Sequence, residues 1–240
     1  MENILDSHLQ AYAGDHIYQF DNLLVVNWYP KRILMHTKGT KSLLELGLGH
    51  GVTADLFSQH FERHVVLDGS PAVIGNFKKN YPCCKSEVIE TYFENFKSEE
   101  KFDVIVMGFV LEHVDDPVEI LRYYKSFLKP DGRLFVAVPN AEVLNRRLGF
   151  LAGLLPNMQK LSKHDHLLGH KRYYTVQTIK ENMQGQGYVI ERIEGIYLKP
   201  FTTKQILSLK FDDKIIDALC QIGIDYPELS CSILIEARIS

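Results

Sequence analysis

The sequence predicts an α/β fold built on a mostly parallel sheet, and three observations carry that expectation. Between Lys41 and Asn140, short strand-like and helix-like stretches alternate with brief links, as when parallel strands are joined through helices. One of these strands, "FDVIVMGFV" (102–110), is almost continuously apolar, as a strand buried on both faces must be. A third stretch, "LLELGLGHG" (43–51), runs from an apolar strand into alternate glycines and on into the helical "VTADLFSQH". That is the local plan by which such sheets hold a ligand at their carboxyl ends.

The elements follow in order. Residues 1–38 read as a helical, aromatic N-terminal cap, with Pro30 as a break. "SLLELG" is the first strand, and "VTADLFSQHF" a helix with Val52, Leu56 and Phe61 roughly on one side. "HVVLDG" is the second strand, and "PAVIGNFKKNY" a helix with Pro71 in the favoured first turn. "SEVIETYF" and "FDVIVMGFV" are the third and fourth strands. "DPVEILRYYKSFL" is a helix opened by Asp116 and Pro117. "LKPDG" is a turn before the fifth strand, "RLFVAVPN". Residues 141–175 read as irregular, and "TVQTIKENMQGQG" as a helix stopped at Gly185 or Gly187. "YVIERIEGIYL", a helical stretch over 203–222 and "CSILIEARI" complete the chain. No linker divides it, so the expectation is one domain over 1–240: a cap (1–38), a core (41–140), a covering insertion (141–175) and C-terminal helices and strands (176–240).

Bulk properties remove several function classes. The chain of 240 residues is 45% apolar and 24% charged, with a net charge of −3, so nothing pulls it toward nucleic acid or an acidic membrane. Cys83, Cys84, Cys220 and Cys231 form no CxxC pair, which argues against a zinc site or a disulfide framework and for a reducing cytoplasm. "MENILDSHLQ" lacks the basic start and apolar core of a signal peptide, and "LGFLAGLLP" (148–156) is too short to span a bilayer.

The glycine stretch holds the chemistry. Gly47 and Gly49 allow close backbone approach to a ligand. Asp68, closing the next strand, stands where a carboxylate accepts hydrogen bonds from ribose hydroxyls. A nicotinamide dinucleotide would fit this much, but the position three after Gly49 is Val52, not glycine. Glu45, two residues before the first glycine, repels a pyrophosphate and suits a cationic ligand.

Glu45 through Gly51, Asp68 in "VVLDGSP", "FDVIVMGFVLEHVDDP" and "LKPDGRLFVAVPN" occur in the order and spacing of the class I S-adenosylmethionine-dependent methyltransferases, which this sequence resembles over roughly 41–140 and the C-terminal strands. The resemblance implies a three-layer Rossmann-like fold with a seven-stranded, mostly parallel sheet and an antiparallel last strand. It implies S-adenosyl-L-methionine as cofactor, with Glu45 near the sulfonium and amino-acid end and Gly47 and Gly49 close to it. Asp68 and Gly69 then border the ribose, Tyr92 and Phe93 the adenine, and Met107 and Gly108 the methionine portion. Tyr92 and Phe93 depart from the acid and small residue usual in the family, so stacking and backbone contacts replace side-chain recognition there.

Methyl transfer needs a nucleophile held in line with the S–CH3 bond, and a hydroxyl nucleophile wants a base. Candidate groups are His113 and, from "LSKHDHLLGHKRYYT" (161–175), His166, His170 and Tyr173. Lys171 and Arg172 suit a phosphate or carboxylate, while Tyr174 suits docking of the next helix. His164, Asp165, His166 and His170 are metal-ligand types, but Gly169 interrupts any helical pairing, so no metal is expected. "LNRRLGFLAGLLPNM" (144–158) is a candidate lid, or a segment packing Leu148, Leu151 and Leu155 on the sheet. Trp28 and Tyr29 are candidates to close the site from the N-terminal side. The expected activity is methylation of a small molecule, first a hydroxyl of a sugar or polysaccharide precursor and second a quinone-like or lipid-like acceptor. The rivals are a non-catalytic S-adenosylmethionine-binding scaffold subunit and an NAD-dependent oxidoreductase. No nucleic acid partner and no integral membrane segment are expected, and the oligomeric state is left open.

Overall fold

All seven strands join one sheet in the order β3-β2-β1-β4-β5-β7-β6. The structure, a computed structural model, describes residues 17–240, so residues 1–16 of the expected cap lie outside the described residues. In chain order the elements are α1 (Gln19–His36), β1 (Ser42–Leu46), α2 (Val52–Ser58), β2 (Arg63–Asp68), α3 (Pro71–Asn80), β3 (Glu87–Glu90), β4 (Phe102–Gly108) and α4 (Pro117–Tyr124). They continue through β5 (Leu128–Pro139), α5 (Leu144–Leu151), α6 (Lys163–Leu167), α7 (Val176–Gly185), β6 (Tyr188–Leu198), α8 (Thr203–Leu209), α9 (Asp213–Gly223) and β7 (Ser230–Ile239). β1 pairs parallel with β2 and β4, and β4 with β5, whereas β7 runs antiparallel to both β5 and β6. The antiparallel last strand is as expected.

Alternation along the strands divides the interior into two layers. Leu44 and Leu46 of β1 face a cluster completed by Ile120, Leu121 and Tyr124 of α4 and by Ile179 and Met183 of α7. Leu43 faces the opposite cluster, with Val25, Tyr29 and Ile33 of α1 and Phe57 of α2. By the same period of two, Glu45 turns its side chain toward α1 and α2.

Local signals explain the helix starts. Ser70 caps α3, its hydroxyl accepting the Val73 N–H at 3.1 Å, with Pro71 next. Asp116 caps α4, accepting from Val118 and Glu119 at 3.0 and 2.9 Å.

Five expectations are corrected. α1 runs straight through Pro30. An interior proline costs a helix about 3 kcal/mol, but Val25, Tyr29 and Ile33 form one stripe buried on the sheet and keep the helix continuous. β3 stops at Glu90, and Phe93–Asn95 is a 3-10 turn. "LKPDG" belongs to β5 as an irregularity: Phe102 pairs with Leu128 but Val104 with Arg133, so the extra residues bulge out. The 141–175 segment contains two short helices, and 203–222 is divided at Lys210, whose φ of 47° ends α8. Among the described residues, no helix is long and apolar enough to cross a membrane.

Candidate active site

β1 and β4 are neighbours from which the chain moves outward in opposite directions, to β2 and β3 on one side and β5 on the other. The crevice outside their carboxyl ends is where open α/β sheets bind ligands. A cavity of about 650 Å³ lies there, walled by the glycine loop, the ends of β2 and β4, the first half of α1 and the 141–175 segment.

The glycine loop is held from below. Gly47 donates its N–H to Leu67 O at 2.7 Å, and Leu48 donates to Asp68 Oδ2 at 2.9 Å. Asp68 Oδ1 accepts from Ser70 N–H at 2.8 Å, so one carboxylate ties the loop to the end of β2. Gly47, Gly49 and Gly51 all have positive φ (82°, 50° and 79°). Their surroundings differ. A Cβ on Gly49 meets nothing within 4 Å, leaving its backbone open to a ligand, whereas one on Gly51 falls 2.5 Å from the Phe77 ring. Gly51 is required by packing.

Glu45 is a layer behind the wall. Its oxygens are taken by the Thr53 hydroxyl and by His64 Nε2, the latter at 3.1 Å, and both Glu45 and His64 are buried. Ser86 Oγ stands 2.7 Å from His64 Nδ1 and continues the network. Thr53 does line the cavity, so Glu45 reaches it through the Thr53 hydroxyl and through its field.

The end of β4 forms the facing wall. Gly108 lies directly under the Tyr29 side chain: an added Cβ comes within 2.3 Å of Tyr29 Oη. Burial, then the charge of Glu45, push the Tyr29 phenol well above its ordinary range, so it stays protonated. Phe109 adopts φ of 58°, an uncommon conformation for a bulky residue, and packs edge-on against Tyr29 at 5.6 Å. Glu112 is wholly buried, and burial raises its carboxyl to about 7. The His113 and His170 rings meet edge to face at 4.8 Å between centroids.

The covering segment is pinned to the loop after β4. Arg172 donates to the carbonyls of Leu111, Val114 and Asp115 at 2.9, 2.6 and 3.0 Å, Lys171 Nζ pairs with Asp115, and Tyr174 Oη donates to Leu111 O at 3.1 Å. Lys171 and Arg172, expected to meet an anion, are therefore committed to structure, while Tyr174 docks the segment. Asp165 accepts from Ser162 N–H at 2.7 Å and Tyr173 Oη at 2.6 Å, and lies 3.4 Å from His170 Nδ1. Burial acts to raise the Asp165 carboxyl, but bonds from His170, Ser162 and Tyr173 outweigh it and hold the group well below the usual range.

Of the residues singled out from sequence, Gly47, Gly49, Asp68, Gly69, Phe93, Gly108, His113, His170 and Tyr173 line the cavity. Tyr92 is 45% exposed, Met107 is buried in the core, and His166 is exposed on α6, so these three stand off the wall. The reasons are local: Met107 faces the α4 side, and the 3-10 turn directs Phe93 inward. In place of the alternative in which Leu148 and Leu151 pack on the sheet, both are exposed, at 45% and 81%. Tyr29 reaches the cavity, and Trp28 is not among its lining residues.

Two features escaped the sequence. Glu112 carried a usable signal, an acid inside the apolar "VLEHV", the same signal that marks Glu45. The buried cluster of Asp21, Lys199 and Thr203 had none, being assembled across 178 positions; Lys199 Nζ donates to Asp21 Oδ2 at 2.6 Å and to Thr203 Oγ1 at 2.9 Å.

A family model described as a methyltransferase domain matches residues 28–193. The chain is 21% identical to a ubiquinone biosynthesis O-methyltransferase of Aeromonas salmonicida (strain A449), over 72% of this chain and 73% of that one. It is 28% identical to the protein of the same name from Parvibaculum lavamentivorans (strain DS-1 / DSM 13023 / NCIMB 13966), over 70% and 67%. Its fold is similar to that of magnesium protoporphyrin IX methyltransferase from Synechocystis PCC 6803, solved with bound SAH, with a TM-score of 0.64, 14% identity and coverage of 98% and 94%.

Proposed function

The chain belongs to the methyltransferase domain family, and from that premise we propose that it moves a methyl group from S-adenosylmethionine to an oxygen of a small, largely apolar acceptor. The observation that carries this proposal is the single cavity joining the glycine loop and Asp68 to the Glu112–His113–His170 wall. At about 650 Å³ it falls within the range of ligand sites, 300–1,000 Å³.

The residues present fit the cofactor. A carboxylate offers about four acceptor sites, so Asp68 holds the loop through two backbone N–H groups and also accepts ribose hydroxyls. Gly49 presents open backbone beside it. Thr53, backed by Glu45, gives the wall a negative bias suited to a sulfonium. When bound, S-adenosylmethionine supplies a methyl group already activated on positive sulfur. What remains for the chain is orientation, exclusion of water and loss of the acceptor's proton.

For that last task the wall offers Glu112, His113 and His170. Tyr173 donates to Asp165 and so orients the segment, and His166 plays no part in this proposal. An apolar acceptor is favoured because Val25, Val26, Phe109, Val143 and Leu168 line the cavity and because α5, which adds Arg146 to its wall, exposes Leu148, Phe150 and Leu151. The curated relatives named above are O-methyltransferases of ubiquinone biosynthesis, which supports an oxygen acceptor and lends nothing to a sugar.

The test is calorimetric titration with S-adenosylmethionine, S-adenosylhomocysteine and NAD in parallel, followed by mass spectrometry of phenolic and sugar acceptors incubated with the cofactor. Micromolar binding of both adenosyl ligands, none of NAD, and a one-methyl gain on phenols are expected. NAD binding alone would overturn the cofactor assignment. Adenosyl binding with no acceptor ever methylated would favour a scaffold subunit, and methylation of sugars alone would overturn the apolar acceptor.

A further inference from the structure

Glu112 and His113 sit in the loop after β4, and His170 comes from the covering segment; one donor atom from each lies within 4.8 Å of the other two. Glu112 is 0% exposed, and neither of its oxygens has a hydrogen-bond partner among the described residues. A buried carboxylate left unpartnered is expensive. The nearest cations do not answer it: Arg172 is occupied by three backbone carbonyls and Lys171 by Asp115.

We propose that Glu112, His113 and His170 bind one divalent transition-metal ion, Zn²⁺ by preference. Two imidazoles and one carboxylate form a borderline donor set that suits this ion, and three protein ligands leave a position open to the cavity. Bonds of about 2.1 Å place tetrahedral ligands about 3.4 Å apart, so the donor atoms close on an ion by small side-chain rotations. His170 is prepared for the role: Asp165 Oδ1 lies 3.4 Å from its Nδ1, leaving Nε2 for the metal. Asp165 is fixed in turn by Ser162 N–H and Tyr173 Oη. The part played by the ion rests on the function proposed above: the open position takes the acceptor's oxygen, the ion lowers the pKa of that O–H so that its proton passes to solvent water, and the three ligands act through the ion instead of as a free base.

The site is tested without cofactor or acceptor. The full chain, stripped with chelator and dialysed, is titrated with Zn²⁺ by calorimetry, with Mg²⁺ for comparison, and bound metal is counted by elemental analysis. One Zn²⁺ per chain at micromolar affinity or better is expected, with Mg²⁺ weaker. Glu112→Gln and His170→Asn should each weaken Zn²⁺ by about 100-fold or more, beyond the 10- to 100-fold of outer-shell changes. Glu112→Gln should also melt no lower than the wild-type metal-free chain, which excludes misfolding as the cause. No stoichiometric Zn²⁺, or binding unchanged in both variants, would overturn the site. Full methyl transfer in chelator would overturn the ion's role while leaving methyl transfer itself standing. Zn²⁺ bound as expected with no methylation of any acceptor would count against the proposed function and leave the metal site intact.

Discussion

Asp68 has a structural role in the glycine loop and, under the proposed function, a binding role as well. Its two oxygens hold the N–H groups of Leu48 and Ser70, so the loop that approaches the cofactor in the proposed site is shaped by the residue proposed there to accept the ribose hydroxyls. Asp68→Ala should weaken S-adenosylhomocysteine binding at least tenfold, about 1.4 kcal/mol, measured by calorimetry. It should also lower the melting temperature, because the buried Leu48 N–H loses its acceptor at a cost of about 1–3 kcal/mol. Affinity unchanged beside a lowered melting point would leave Asp68 with the structural role alone. Gly108 poses a steric question of the same size. Gly108→Ala puts a methyl 2.3 Å from Tyr29 Oη and 3.0 Å from Cζ, and overpacking of this kind costs about 1–3 kcal/mol. In that background Tyr29→Phe should recover part of the loss, although it destabilises the wild type. Strict additivity in thermal melts of the four proteins would show that the two residues do not compete for space.

Among elements, the start of β1 is fastened to β4 and β5 by Asp103. Its carboxylate accepts from the N–H groups of Lys41 and Ser42, from Ser42 Oγ and from Lys129 Nζ, all at 2.9–3.0 Å. Partial burial acts to raise this carboxyl, but the bonds from Lys129, Lys41 and Ser42 outweigh it and bring it from an ordinary 3.8 down to about 2. A depressed folded-state value gives stability that is present above pH 4 and lost as pH falls toward 2. By linkage about 1 kcal/mol should disappear between pH 5 and pH 3. Urea unfolding at the two pH values should show that loss in the wild type and not in Asp103→Asn; equal losses would assign the acid sensitivity elsewhere. In the sequence Asp103 carries the same signal as Glu45 and Glu112, an acid in an apolar run, but its bonds to Lys41, Ser42 and Lys129 were invisible there. The elements it joins were not, because strand runs, Ser70–Pro71 and Asp116–Pro117 are local signals of burial and capping. What failed to show were boundaries set by tertiary contacts: α1 crosses Pro30 because its buried stripe outweighs one lost bond, and β3 ends early at the sheet edge. The site divides the same way. Gly47, Gly49 and Asp68 follow from spacing along neighbouring strands, whereas Glu45 turns out to stand behind Thr53 because the pleat alternates.

Taken whole, the molecule encloses its cavity with pieces far apart in sequence, and α1 is the largest of them. It is anchored at both ends. Arg32 makes a bidentate pair with Glu194 of β6 at 2.7 and 2.8 Å, well past the cavity, and Asp21 meets Lys199 and Thr203 at the cavity wall. Between the two anchors Pro30 interrupts the helical bonds. The half of α1 before Pro30 borders the cavity and is held to the body by the buried Val25 and Tyr29 and by the ion pair at Asp21, which makes that pair the polar contact whose loss would free it. Removing the cation from such a buried pair leaves Asp21 unpaired, a loss of about 3–5 kcal/mol that opening of this half-helix would relieve. Lys199→Met should therefore speed S-adenosylhomocysteine dissociation by about tenfold in stopped-flow displacement, and adding Asp21→Asn should restore much of the slow rate. Arg32→Met removes the other anchor, so it should lower the melting temperature and leave the dissociation rate near wild type. Equal acceleration by Lys199→Met and Arg32→Met would mean that α1 moves as one rigid piece, and Pro30 would then have no part in admitting the ligand.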